Sequence, residues 1–266
     1  MKWDKLAAIL AVVMPITALA ADKGGDRPSF LPLGEVAAQS SWSGFYVGAH
    51  AGYGWGDMNV DLSTSSGAVH YNDHFAKPDE TLNGGDGWLG GFQIGVNKQS
   101  GNIVAGIEAD VSWTDMDGEG RYTTQHPHYA TWDIKSKLEM FGTMRGRLGV
   151  ATGPVLVYAT GGLAWGITET SQATNWFKAL GAPSDDVGGR TSGRNNHIGW
   201  TAGGGIEWAI AQNLTLRGEY LYVDLGEESY ALRGTTKPNG STPYVETFGA
   251  DLDFHVVRGG LNFKLN

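Results

Sequence analysis

The stretch Trp42-Ser43-Gly44-Phe45-Tyr46-Val47-Gly48-Ala49-His50-Ala51-Gly52-Tyr53-Gly54-Trp55 alternates along its length. Phe45, Val47, Ala49, Ala51, Tyr53 and Trp55 fall on one face, and Gly44, Tyr46, Gly48, His50, Gly52 and Gly54 on the other. A period of two over that span is a long β-strand. Its apolar face ends in aromatic residues, which suggests a strand that meets lipid. A strand survives in hydrocarbon only inside a closed barrel, because an open edge leaves N–H and C=O groups unpaired.

The residues before it read as an export signal. Lys2 and Lys5 precede an apolar run from Leu6 to Val13, then Pro15, then an A-x-A site at Ala18-Leu19-Ala20. That pattern predicts Sec-type export, with removal of residues 1–20 and a mature start at Ala21. The apolar run is too short to cross roughly 30 Å of hydrocarbon. Residues 21–41 carry Gly24, Gly25, Pro28 and Pro32 and read as a periplasmic lead-in. Residues 42–266 remain for the barrel.

Composition narrows the function classes. The chain has no cysteine, which excludes a disulfide framework and thiol chemistry. A net charge of -9 argues against a nucleic-acid partner, which wants a basic face. The mean hydropathy of -0.23 is what alternating strands give, since only every second residue meets lipid.

The alternation recurs in seven more runs: 88–97, 102–113, 138–150, 155–166, 197–209, 214–225 and 255–265. Each has about the 9–11 residues, or slightly more, that a tilted strand needs to cross a bilayer. The connections alternate in length. Lys98-Gln99-Ser100-Gly101, Ala151-Thr152-Gly153-Pro154 and Ile210-Ala211-Gln212-Asn213 are short, whereas 57–87, 114–137, 167–196 and 226–254 are long. The reading is all-β: an eight-stranded antiparallel up-and-down transmembrane β-barrel, with short periplasmic turns and four long extracellular loops. Trp55, Trp88, Trp113 and Trp165 at the long-loop ends, and Trp42, Trp208 and Phe263 at the turn ends, are expected to form two aromatic belts.

Parity places the charges on the inner wall. Glu108, Asp110, Glu139, Glu207 and Glu219 face Arg145, Arg147, Arg217 and Arg258 there. An Arg on the lipid face near the midplane would cost roughly 2–4 kcal/mol. Unpaired buried charges are strongly destabilising, so the groups should pair. Glu108 with Arg145 or Arg147 is the first expected pair, and Arg258 should lie near His50. Eight strands enclose a space that side chains fill, which favours a plug over a selectivity filter. The carboxylates come with no nucleophile–base set, so no catalysis and no cofactor are expected.

Other signals are weaker. His70 and His74 fall in the first long loop, His126 and His128 in the second, and His197 and His255 at loop ends of their strands, leaving only His50 inside. Imidazole ligates haem and metals, so His70, His74, His126 and His128 are candidate ligands; tolerance of His in polar loops is the simpler reading. The first loop holds Asp57, Asp61, Asp73, Asp79, Glu80 and Asp86 against Lys77. It reads as solvated and self-repelling rather than as a cation site bridging lipopolysaccharide. Gly52-Tyr53-Gly54-Trp55-Gly56 contains a GxG with no βαβ context, and Gly188-Gly189-Arg190-Thr191-Ser192-Gly193 lacks a phosphate-loop Lys.

Several strings carry a family resemblance. Trp42-Ser43-Gly44-Phe45-Tyr46-Val47-Gly48, Gly106-Ile107-Glu108-Ala109-Asp110, Gly142-Thr143-Met144-Arg145-Gly146-Arg147-Leu148-Gly149 and Glu219-Tyr220-Leu221-Tyr222-Val223-Asp224-Leu225-Gly226 resemble the small outer-membrane immunogenic, opacity-like barrels of alphaproteobacteria. Gly199-Trp200-Thr201-Ala202-Gly203 and Val257-Arg258-Gly259-Gly260-Leu261-Asn262-Phe263 fit as well. The resemblance implies an outer-membrane protein, related to OmpA-like membrane domains, that supports envelope integrity and presents surface loops. A narrow porin and a haem-binding or host-contact antigen are the alternatives it leaves open. Its implied partners are outer-membrane lipid, lipopolysaccharide and the barrel-assembly machinery, with the barrel itself a monomer and the extracellular ligand unspecified. The family's assembly signal is filled by Arg258, Gly260, Phe263 and Leu265, with Leu265 replacing the usual terminal aromatic.

Overall fold

The computed structural model describes residues 41–66, 83–123, 129–177, 189–235 and 243–265. The expectations for residues 1–20 and, but for Ser41, for 21–41 lie outside the described residues. The strands are β1 (Gly44–Ser66), β2 (Asn83–Ser100), β3 (Ile103–Thr114), β4 (Asp117–Thr123), β5 (Tyr129–Thr152), β6 (Val155–Phe177), β7 (Gly189–Ala211), β8 (Leu214–Thr235) and β9 (Pro243–Leu265). Each pairs antiparallel with its neighbours, and β1 pairs with both β2 and β9, so the sheet closes. β3 and β4 are two pieces of one stave: both pair with β2 on one side and β5 on the other. The nine strands therefore make a closed eight-stranded barrel. It has no hydrogen-bonding edge at membrane level, as lipid demands.

The three turns at one end take two residues each, Gly101-Asn102, Gly153-Pro154 and Gln212-Asn213, and the N-terminal approach and the C-terminal strand end lie beside them. Gly101 (φ 60°) and Gly153 (φ 58°) hold left-handed turn positions that other residues enter at a cost. Along β1 burial alternates as expected: Phe45, Val47, Ala49 and Ala51 are exposed, and Tyr46, His50 and Gly52 are buried.

The strands outrun their expected ends on the long-loop side. β5, β6, β7 and β9 run to 23 or 24 residues, about twice what a bilayer needs. Much of each expected loop is thus sheet standing above the membrane. Alternation does not reveal it, since Ser171-Gln172-Ala173-Thr174-Asn175 carries no apolar–polar period.

That extension is not a continuous cylinder. The β7–β8 ladder ends at Trp200↔Asp224, whereas β7 continues against β6 and β8 against β9. The fork coincides with a bulge between Asp224 and Glu227. Gly226 (φ 70°) sits in it, its N–H donating to Asp224 Oδ1 at 2.9 Å. Bulges bend the strand that carries them, and here the bend parts two neighbours.

The inner wall is not uniformly polar. Toward the extracellular end it is lined by Phe141, Leu138, Leu221, Val223, Leu225, Phe254 and further apolar side chains, all buried. Phe141 and Phe254 meet edge to face, centroids 5.2 Å apart. Continuous apolar runs such as Leu221-Tyr222-Val223 carry this layer; a wall filled rather than wetted has no need of polar inward residues.

Candidate functional site

Below that layer lies the charged one. The Cα pairings Glu108↔Arg145, Glu207↔Arg217 and Glu219↔Arg258 put acid opposite base on three separate ladders. Every member points inward because each sits on the buried parity of its strand. Arg145 Nη2 donates to Glu108 Oε1 at 2.5 Å and to Asp110 Oδ2 at 3.0 Å, and Nη1 to Glu219 Oε1 at 3.1 Å. Arg217 grips Glu108 with two donors, at 2.6 and 2.8 Å, and reaches Glu219 at 2.6 Å. Arg258 binds Asp110 at 3.0 Å and Glu219 at 2.8 Å. Arg147 holds Glu207 at 2.7 Å and stands 3.7 Å from Glu108. All eight side chains are 5% exposed or less.

Neutral groups complete the network. The Tyr46 hydroxyl donates to Glu108 Oε2 at 2.6 Å and accepts from Arg147 Nη1 at 3.0 Å. The Arg147 guanidinium lies 4.0 Å from the Tyr158 ring centroid, a cation–π contact. His50 bonds Gln93 and Ser112 and lies 3.3 Å from Arg258 Nη1. Asn262 and Thr215 donate to Glu207. Tyr46, Tyr158, Gln93 and Asn262 do not stand out in the sequence; inward parity at the height of the charges is the signal that selects them.

Glu139 is the exception. The β5–β6 register skips between Leu138 and Met140, so Glu139 is the extra residue of a bulge. The shift turns Leu138 into the lumen, where Phe141 already points by parity, and takes Glu139 out of it, to pair with Arg194, whose side chain is 64% exposed. The inner wall therefore balances four carboxylates against four arginines, not five against four. Glu139→Ala is expected to change stability by less than about 1 kcal/mol, as exposed ion pairs do. A urea midpoint of the refolded barrel measures this.

Trp42 also departs from expectation. It shares the parity of Tyr46, so it turns inward and is 7% exposed. It packs with Val104, Leu156, Tyr158 and Ala209 at the periplasmic end and does not join the lipid-facing belt. Its backbone N–H donates to Gln99 Oε1 at 2.8 Å, and Lys264 Nζ holds the Ser41 carbonyl at 2.8 Å. The belts are otherwise placed as their parity dictates. Trp88, Trp113 and Trp165 are exposed toward the long ends, and Trp208 and Phe263 toward the turns. Trp55 stacks on His255.

The histidines do not form one rim. His70, His74, His126 and His128 lie outside the described residues. His197 is inside, buried and 2.9 Å from the Thr168 hydroxyl, because odd positions of β7 face inward. His255 faces outward on β9. At the C-terminal strand Arg258 points inward, Gly260 lies opposite His50, and Phe263 and Leu265 are exposed beside β1.

Comparison with known proteins identifies a family. The model of the outer membrane protein beta-barrel domain family matches residues 29–263. The 31 kDa outer-membrane immunogenic protein of Brucella melitensis is 32% identical over 267 residues, covering 97% of this chain and 98% of that one. The 25 kDa outer-membrane immunogenic protein of Brucella abortus is 30% identical over 263 residues, 97% of each. The 22 kDa outer membrane protein of Rhizobium leguminosarum is 28% identical over 197 residues, 74% of this chain and 71% of that one. Among solved structures, OprG from Pseudomonas aeruginosa is similar with a TM-score of 0.49 and 12% identity, covering 85% of this chain and 99% of that one. The chain is a protein of the bacterial outer membrane, and it belongs to the outer membrane protein beta-barrel domain family.

Proposed function

We propose that the protein is a closed, structural barrel that strengthens the outer membrane and carries its strand-extended loops outward, with no through-channel. The observation that carries this reading is the charged layer. Arg145, Arg147, Arg217 and Arg258 are interlocked with Glu108, Asp110, Glu207 and Glu219 at 5% exposure or less. An apolar layer covers them above, and the Trp42 cluster narrows the lumen below, where a recess lined by Trp42, Tyr46, Asn97 and Asn262 reaches Glu207. An ion crossing this lumen would have to break several buried, charge-assisted bonds at once.

Two experiments test it. In planar bilayers the pure protein is expected to give no conductance steps above empty-membrane leakage; steps whose ion selectivity changes in Arg145→Ala would establish the narrow-porin alternative. A deletion strain is expected to lose resistance to detergents and bile salts, and unchanged resistance would remove the envelope role. Relatives of the chain include the 31 kDa outer-membrane immunogenic protein of Brucella melitensis and the 22 kDa outer membrane protein of Rhizobium leguminosarum, and a non-enzymatic role fits that company.

A further inference from the structure

The outer aromatic belt has one wall unlike the others. His255 stands outward on β9, opposite Trp55 on β1 and Tyr222 on β8. Its imidazole stacks on Trp55, centroids 5.7 Å apart and planes at 28°, and on Tyr220, 5.9 Å and 22°. It is tilted against Tyr222 at 5.3 Å, and Tyr222 packs on Trp200 of β7 at 5.4 Å. The Tyr220 hydroxyl and His255 Nδ1 are 2.7 Å apart. One step further out on the same face, Asp253 lies opposite Asp224. The opposite wall, β5 and β6, presents Leu163 and Trp165 on either side of Ala164 of the apolar layer.

Simple membrane anchoring asks only for amphipathic rings at the headgroup level, and Trp88, Trp113 and Trp165 meet that need on other strands. It does not call for an imidazole packed against three rings, with a fourth beyond them and carboxylates above. That combination suits a sugar. A pyranose offers C–H faces that stack on aromatic rings and a hydroxyl edge that bonds imidazole, phenol and carboxylate groups. A bare phosphate headgroup would meet Asp224 and Asp253 as like charges.

We propose that Trp55, Trp200, Tyr220, Tyr222 and His255 form a binding site for the sugar headgroup of an outer-leaflet glycolipid. The inference rests on the outer-membrane orientation and not on the closed lumen or the envelope role. Rings on β7, β8, β9 and β1 make the platform, and His255 Nε2 with the carboxylates of Asp224 and Asp253 meets the hydroxyl edge. The site gives the barrel a preferred lipid on one side.

The test uses the full mature protein refolded in detergent and native mass spectrometry. The probes are monoglucosyl diacylglycerol and phosphatidylglycerol with the same acyl chains. The glucosyl lipid is expected to bind about tenfold more tightly, equivalent to about 1.4 kcal/mol. Trp55→Leu and Tyr222→Leu keep the surface apolar and should abolish the preference, whereas Trp165→Leu should retain it. Heat-modifiable gel mobility reports folding; should either variant fail to fold, His255→Phe keeps a ring in the stack and removes the polar edge, and it too should lose the preference. Equal binding of the two lipids by the unaltered protein overturns the proposal. So does an equal loss in Trp165→Leu, which would mark ordinary belt anchoring. An undisturbed envelope in the deletion strain would leave the site untouched.

Discussion

Glu108→Ala is expected to destabilise the barrel by about 3–5 kcal/mol. Glu108 accepts from Arg145 at 2.5 Å, from Arg217 at 2.6 and 2.8 Å and from Tyr46 at 2.6 Å, and Arg147 stands 3.7 Å away. Its removal leaves four carboxylate-seeking guanidiniums in the layer with three acids. None can reach water from a layer this buried. The loss is desolvation left uncompensated rather than the worth of any single bond. The double variant Glu108→Ala/Arg217→Leu should therefore be less destabilised than the sum of its single changes. Urea-dependent folding into lipid vesicles, followed by tryptophan fluorescence, measures all three. Additive losses would mean that the charges act independently.

Gly95→Val is expected to cost about 1–3 kcal/mol through overpacking. A Cβ at Gly95 would lie 2.3 Å from the Tyr46 hydroxyl oxygen and 2.4 Å from Cζ. Tyr46 cannot swing aside freely, because its hydroxyl bridges Glu108 and Arg147. The glycine thus makes the recess in which the ring lies, and it does so at normal backbone angles. Tyr46→Ala in the Gly95→Val background should recover part of the loss. By contrast, a Cβ at the outward-facing Gly218 meets nothing nearer than Ile206 Cγ2 at 4.0 Å, so Gly218→Ala should fold with unchanged midpoint. The same urea series separates the two; equal effects at Gly95 and Gly218 would refute the recess.

The fold was legible at membrane level because lipid and lumen are different solvents. Phe45, Val47 and Ala49 must be apolar and the arginines must not face hydrocarbon, so chemistry and parity repeat each other in every run. Above the membrane that contrast vanishes, and the residues of β6 from Ser171 to Phe177 read as loop although backbone pairing continues them as strand. Bulges are the second blind spot. One extra residue at Glu139 reverses parity on either side of it, and no local feature of Leu138-Glu139-Met140 announces that. Trp42 differs in kind. Parity pointed it inward, but its place at a strand end suggested a belt.

The sequence by itself determined the number of membrane crossings, the end at which the turns lie and the sign of every charge on the inner wall. Each follows from the local alternation of apolar and polar residues. Only the tertiary structure decided which acid meets which arginine, that Glu139 leaves the network, and that an apolar layer covers the charged one on the extracellular side. It also brought Trp55, Tyr222 and His255, distant in the chain, onto one patch of the wall. These depend on strand register: β5 against β6 for Glu139, and β8 and β1 against β9 for the patch, the last set by closing the ring. Backbone hydrogen bonds between distant strands fix that register, and they carry no trace in the side chains of either strand alone.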